Sequence, residues 1–379
     1  MALQASGSIS ASQIRNEFAG VTQVSFSDYF RHAEPTDGLE DFSETYTSAN
    51  NSGIPTTGAI KFSDFYSKYR EVMFKVGSVN VRENANTSTL FDTYWGTNVP
   101  KRLKNNGTIG ATSTANAALT VSSDISNTLV IDNAGSIQGA GGVAGAANGG
   151  NGGDGGTAIL LNSFCSINNT GTIYGGGGGG GAGTAGGTGG NGANGSYTYL
   201  SSQTFPGQSQ CTQAFFQCAA GSVAACNLFN ANCCGSTNGC PNNQYTTVNT
   251  TGGTGGTGGD GGNGGVGAGY GQSATNAPAL DTTGGPVTAP ALDTPGGPTS
   301  GDAPTGGATA GSVGGNGGIG GNGAGFGSTG GNGTQGGTGT NGSVGGTPVG
   351  TGGAAGYYLY LSRNVSWIAQ GTTAGNIFF

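Results

Sequence analysis

The run GGTGGTGGDGGNGG, residues 252–265, places glycine at two of every three positions. A polyproline II-type helix has three residues per turn and no internal hydrogen bonds, so a G-G-X repeat puts X on one edge and leaves two edges bare. Bare edges let backbones approach closely, and their unpaired N–H and C=O groups then find partners on neighbouring strands, helped by weak Cα–H···O contacts. Disorder is the competing reading of such polar, glycine-rich text. The strict period argues for ordered packing. Tracts of this kind are expected at 149–157, 175–195, 252–269, 312–334 and 335–354. At roughly 3.1 Å per residue, the second would span about 60 Å.

Composition removes whole classes of function. Only 8% of the residues are charged, against about 25% in ordinary soluble domains. Ten of the eleven Lys and Arg lie at or before Lys104, and none lies between Asn105 and Ser362. With a net charge of −7, the chain has no electrostatic footprint for nucleic acid. No G-x-x-x-x-G segment of the tracts carries the Lys of a phosphate loop. One His and seven scattered carboxylates beyond Lys104 form no acid–base constellation, so neither an enzyme nor a cofactor is expected. No metal is expected either. GGNGGD (149–154) and GGTGGD (255–260) begin like a calcium-binding nonapeptide, but its large apolar position falls on Gly156 and Gly262. The start, MALQASGSISASQIRNEF, shows no basic region followed by an apolar core, so export by the ordinary secretory route is not expected. No apolar run approaches the roughly 18 residues of a membrane span.

Along the chain, the fold class expected is mainly β and irregular. Residues 1–70 read as a small helical N-terminal anchoring module, in which Ser10 and Gln13 fit a capping box and Ile14 and Phe18 share one face. The aromatic turns SFSDYF (25–30) and KFSDFY (61–66) repeat one pattern. Residues 71–175 read as a β-solenoid neck, starting with alternating apolar residues at Val72, Phe74 and Val76. LKNNGTIG (103–110), IDNAGSIQG (131–139), INNTGTIYG (167–175) and WIAQGTTAG (367–375) share an apolar residue, a glycine and Ser or Thr. That recurrence is the signature of stacked rungs. From Gly107 to Gly135 is 28 residues, from Gly135 to Gly171 is 36, and from Gly171 to Gly371 is 200. The glycine-rich tip, 176–355, is therefore an insertion, and 356–379 closes the neck.

A body so poor in side chains leaves specificity to its loops. Two are expected, at 196–250 and 271–311. The first holds Tyr197, Tyr199, Phe205, Phe215, Phe216, Phe229 and Tyr245, and the second contains the tandem repeat APALDTTGGPVT, APALDTPGGPTS with Leu280 and Leu292. These residues are the binding candidates, since anchors on a pre-ordered loop lose less entropy on docking. Cys211, Cys218, Cys226, Cys233, Cys234 and Cys240 crowd the first loop without a His. They point to a disulfide framework whose pairing stays open. Some of the aromatics must instead form a mini-core beneath it.

The combination of SINNTGTIYGGGGGGG, G-G-X tracts interrupted by variable loops, and a closing NVSWIAQGT resembles the glycine-rich receptor-binding adhesins at the tips of tailed-phage tail fibres, notably those of T-even-like phages. GSISASQIRNEF also resembles the N-terminal segment of phage virion structural proteins. The resemblance implies a polyglycine II sandwich whose loops bind a bacterial outer-surface receptor, polysaccharide or outer-membrane protein. It implies other virion tail proteins as partners of the N-terminal module, no nucleic acid, and a homo-oligomer, by analogy a trimer. A particle released by lysis would meet both synthesis inside the cell and oxidation outside it. The dense cysteine cluster and an N-terminal module on the same chain depart from a bare tip adhesin. Two other classes compete: a structural protein that assembles into a fibre or sheath without reading a receptor, and an ice-binding polyglycine bundle. The latter fits poorly, because the X position changes from Thr257 to Asp260, Asn263 and Val266.

Overall fold

The computed structural model describes residues 3–18, 41–43, 53–55, 57–69, 71–204, 242–278, 310–361 and 365–379, with backbone alone for 41–43, 196–204, 242–248 and 250. In the N-terminal module, α1 (Ala11–Glu17) carries the expected capping box between Ser10 and Gln13. Ile14 is buried with Ile54 and Phe65, and Phe18 meets the Phe65 ring edge-on at 5.9 Å. The module is not only helical. Its strand β1 (Asp41–Ser43) lies antiparallel on β2 (Val72–Val76) and covers what would otherwise be an open sheet edge.

From Val72 the chain winds through five coils, each giving one strand to each of three parallel sheets. The first coil is β2, β3 (Val81–Glu83) and β4 (Ala85–Asn86); the second is β5 (Lys101–Asn105), β6 (Thr108–Gly110) and β7 (Leu119–Val121). The third is β8 (Leu129–Asn133), β9 (Ser136–Gln138) and β10 (Ile159–Leu161). The fourth starts with β11 (Cys165–Asn169) and β12 (Thr172–Tyr174), is interrupted by the ribbon β13 (Gly195–Thr204) and β14 (Asn242–Thr250), and ends with β15 (Tyr357–Tyr360). The fifth is β16 (Val365–Ala369), β17 (Thr372–Ala374) and β18 (Asn376–Phe378).

The rung motif sets this register. Phe74, Leu103, Ile131, Ile167 and Trp367 align in one column, and Ile109, Ile137 and Ile173 in another. All but Phe74 and Trp367 are wholly buried. The motif glycine stands where coils touch: a methyl on Gly135 would lie 2.0 Å from the Gly107 carbonyl oxygen, and one on Gly171 2.1 Å from that of Gly135. The first coil lacks this motif and turns through Gly77 to Asn80, so the motif marks four of the five rungs.

The Asn before each turn forms a buried ladder. Asn105 Nδ2 donates to Asn133 Oδ1 at 2.7 Å, Asn133 Nδ2 to Asn169 Oδ1 at 2.7 Å, and Asn169 Nδ2 to the Gln370 carbonyl. It ends at Asn105, whose Oδ1 has no partner, because the residue in register one coil earlier is Val76.

Lys101 occupies a register position taken by Val72 and Leu129 in the adjacent coils. It has no exposed surface, and its Nζ donates to the Thr97 and Val99 carbonyls at 2.8 Å each. Burial pushes its pKa down from 10.5 to about 8. Between those values the unfolded chain holds the proton and the folded chain does not, so this group makes folding more favourable as pH rises through that window. The Cys165 thiol, pushed up to about 12 by burial, acts in the opposite direction above its ordinary value. The Lys101 contribution is therefore read from a variant. Denaturant unfolding of the wild type and of Lys101→Met at pH 7.5 and 10 should show the variant losing ground to the wild type at the higher pH. An unchanged difference would refute the assignment.

Between the second and third strands of successive coils lie residue 84, residues 111–118, 139–158 and 175–356, and finally residue 375. The glycine-rich text thus leaves the solenoid at a single corner, and its insertions lengthen from coil to coil before vanishing. Residues 175–190 form a straight central tract. Gly176, Gly179 and Ala182 donate to Gly156, Gly153 and Gly150; Gly177, Gly180 and Gly183 to Ala268, Gly265 and Gly262; Gly178, Gly181 and Thr184 to Ser328, Gly331 and Thr334. In return Gly142 and Gly145 donate to Gly177 and Gly180, Ala324 and Gly321 to Gly178 and Gly181, and Gly353 and Gly350 to Gly179 and Ala182. Three consecutive residues therefore address different neighbours, and the fourth returns to the first.

The six neighbours are 139–149, 150–156, 343–356, 328–340, 312–324 and 253–268, each bonded to the next around the ring: Gly153 to Val143, Gly152 to Thr351, Gly330 to Gly353, Gly331 to Asn322, Gly259 to Gly315 and Gly264 to Gly145. Two expected tracts are cut differently from the sequence reading. The breaks fall at Phe326–Gly327 and Thr340–Asn341, where Gly327 and Asn341 have φ of 64° and 50°. Asn148 and Gly149 likewise turn with positive φ, which sets off 139–149 from 150–156 as a tract that the three-residue period does not mark.

Candidate functional site

The direction of the tracts gives this lattice two unlike ends. Residues 139 and 175 leave solenoid strands and run outward together; 253–268, 312–324 and 343–356 run back. At the outer end stand the turn at 147–149, the ribbon β13–β14, residue 310 and the turn at 340–342. At the inner end the turns are at Tyr270 and Phe326.

The outer surface of the tracts is made by the X residues. Thr254, Thr257, Asp260 and Asn263 are all exposed, while most glycines between them are covered. Several X side chains turn sideways and accept a neighbouring backbone N–H. Asn151 Oδ1 accepts from Thr351 at 2.9 Å, Asp154 Oδ1 from Ala354 at 2.7 Å, and Asn332 Oδ1 from Gly352 at 2.9 Å. Near the ribbon, Asn191 and Asn194 accept from Gly255 and Gly252 in the same way. A short carbonyl-bearing side chain thus completes the hydrogen bonding of tracts that have no further neighbour, which is why Asn and Asp recur at X. Asn151 and Asp154, considered above for calcium, are used in this manner. Among the described residues no group of three or more His, Cys, Asp or Glu could hold a metal ion, and no helix is long and apolar enough to cross a membrane.

The ribbon carries three of the binding candidates. In its antiparallel register Tyr197 pairs with Val248, Tyr199 with Thr246 and Tyr245 with Leu200, and the register shifts between Leu200 and Ser202. Phe205, Phe215, Phe216, Phe229, Leu280 and Leu292 lie outside the described residues, as do Cys211, Cys218, Cys226, Cys233, Cys234 and Cys240. The described cysteine, Cys165, is a buried free thiol of the solenoid core.

The sequence reading missed two features of this end: the ring of tracts, and the ribbon that extends it. The first left a signal. Gly175 to Gly181 has no X residue at all, as a segment enclosed on every edge requires.

The family model described as Phage tail fibre adhesin Gp38 matches residues 73–291. Among solved structures, the crystal structure of the gp37–gp38 adhesin tip complex of the bacteriophage S16 long tail fiber aligns with 17% sequence identity and a TM-score of 0.32, covering 85% of this chain and 88% of that one. No curated protein matches the chain.

Proposed function

Because this chain belongs to the phage tail fibre adhesin Gp38 family, we propose that it binds a bacterial cell-surface receptor through loops 196–250 and 271–311, displayed on a bundle of polyglycine II helices. A tail fibre adhesin belongs to the virion tail and acts at the host surface, in a binding role and not as an enzyme. The observation that carries the finer reading is the three-residue cycle of the central tract, whose successive N–H groups go to three different neighbours. A three-residue screw produces that cycle, and polyglycine II has such a screw. A body held by backbone bonds leaves its loops free to vary in sequence without disturbing the scaffold.

In this reading Tyr197, Tyr199 and Tyr245 on the ribbon, and Phe205, Phe215, Phe216, Phe229, Leu280 and Leu292 beyond it, are the contact candidates. Disulfides among the six clustered cysteines would pre-order the first loop and lower the entropy cost of docking. Residues 1–70 attach the adhesin to another tail protein, and residues 71–175 with 356–379 form the neck. The assembly is a homo-oligomer, taken as a trimer.

The test is binding of the purified protein to intact host cells, beside a variant in which 205–241 is replaced by a short Gly-Ser turn that keeps β13 and β14. Circular dichroism checks that both fold. Binding is expected for the intact protein and is expected to be lost in the variant. Equal binding by both would remove the first loop from the site, and no binding by either would favour a structural role in the fibre.

A further inference from the structure

Half of the ring has no covalent root in the solenoid. Tracts 139–149, 150–156 and 343–356 run directly into β9, β10 and β15, as the central tract does into β12. Tracts 253–268, 312–324 and 328–340 do not: their inner ends are turns, and they occupy three consecutive places on the far side of the ring. Of these, 253–268 takes the chain from residues 196–250 and passes it to 271–311, and 312–324 takes it from there.

Each inner turn presents one aromatic ring to the solenoid. Tyr270, in the turn closed by Gly269 and Gln272, lies on Gly110 of β6 so closely that a methyl there would come within 2.1 Å of the ring. Its Oη donates to Glu83 Oε1 at 3.1 Å, and its backbone N–H donates to the Gly139 carbonyl. Phe326 packs on Tyr174 of β12 with ring centroids 5.4 Å apart, and the next N–H, of Gly327, donates to the Gly175 carbonyl. One ring thus bears on the first two coils and the other on the fourth.

We infer that Tyr270 and Phe326 are positioning residues, which fix the three unrooted tracts to the solenoid and so hold the variable loops at a set place and angle. This inference rests on the receptor-binding reading for its consequence, though not for its geometry. Loops held in advance lose less freedom on docking, and a tip of fixed direction lets several copies engage one surface together.

The experiment compares the full chain with Tyr270→Ala/Phe326→Ala and with the ring-preserving Tyr270→Phe/Phe326→Tyr. Backbone hydrogen exchange is followed tract by tract. In the alanine variant, exchange is expected to quicken about tenfold or more in 253–268, 312–324 and 328–340, and at the central-tract amides that donate to them, while 139–149, 150–156 and 343–356 keep their protection. The ring-preserving variant is expected to match the wild type. Host-cell binding by the alanine variant should weaken by about tenfold, roughly 1.4 kcal/mol, and recover in the ring-preserving one. Unchanged exchange in the three tracts overturns the inference. A uniform rise across all the tracts overturns it as well, since the rings would then be general stabilisers. If the wild type binds no host cell, the receptor reading fails, and the exchange pattern still decides whether the rings act as pins.

Discussion

Gly180→Ala is expected to destroy the folded lattice, whereas Gly337→Ala is expected to leave it intact. A methyl on Gly180 would lie 1.9 Å from the Gly321 carbonyl oxygen. Nor is there room to slide along the tract, because the same construction at Gly179 meets the Val143 carbonyl at 1.9 Å and at Gly178 the Gly353 carbonyl at 1.9 Å. The obstructing atoms are backbone and are themselves hydrogen-bonded, so no rotamer change relieves the overlap. The cost should exceed about 4 kcal/mol, at the severe end of single substitutions. Gly337, on an outer tract, has 3.5 Å to its nearest obstacle, and its substitution should cost less than about 1 kcal/mol. Denaturant unfolding of both variants beside the wild type measures the contrast. Similar costs at the two positions would mean that the central tract is not enclosed.

Asn133→Ala should be the most damaging substitution among the solenoid asparagines. Its side chain accepts from Asn105 and donates to Asn169 Oδ1 and to the Thr172 carbonyl, at 2.7, 2.7 and 3.1 Å. Removing it strands a donor on one side and an acceptor on the other, all beneath the surface. Each orphaned buried group costs about 1–3 kcal/mol, so a loss of about 3–4 kcal/mol is expected, with a small cavity added. Asn105→Ala breaks the ladder at its end, where one carbonyl oxygen already lacks a partner, and should cost about half as much. Thermal or denaturant unfolding distinguishes the two. Equal losses would show that the ladder does not act as a chain of paired groups.

The rung motif is local: an apolar residue, a turn glycine and a second apolar or small residue recur at fixed offsets, and stacking follows once each coil buries its side chains on the next. Asn105, Asn133 and Asn169 stand at one place in that motif. The ladder was therefore present in the text, but an Asn before a turn is ordinarily read as turn chemistry. The candidate contact residues were legible only as composition, a cluster of cysteines and aromatics between two tracts. The structure adds the paired register of Tyr197, Tyr199 and Tyr245.

By itself the sequence determined that the tracts have bare edges and that the X residues line what remains. Only the tertiary structure decided which six tracts surround the central one, in what order, and that the glycine-rich insertions all leave one corner of the solenoid. The reason is physical. A three-residue glycine repeat offers nearly the same donors and acceptors on every edge and at every third residue, so local sequence cannot choose a neighbour or a register. That choice is made by the solenoid, which sets where four tracts begin or end, and by Tyr270 and Phe326, which meet it from far along the chain.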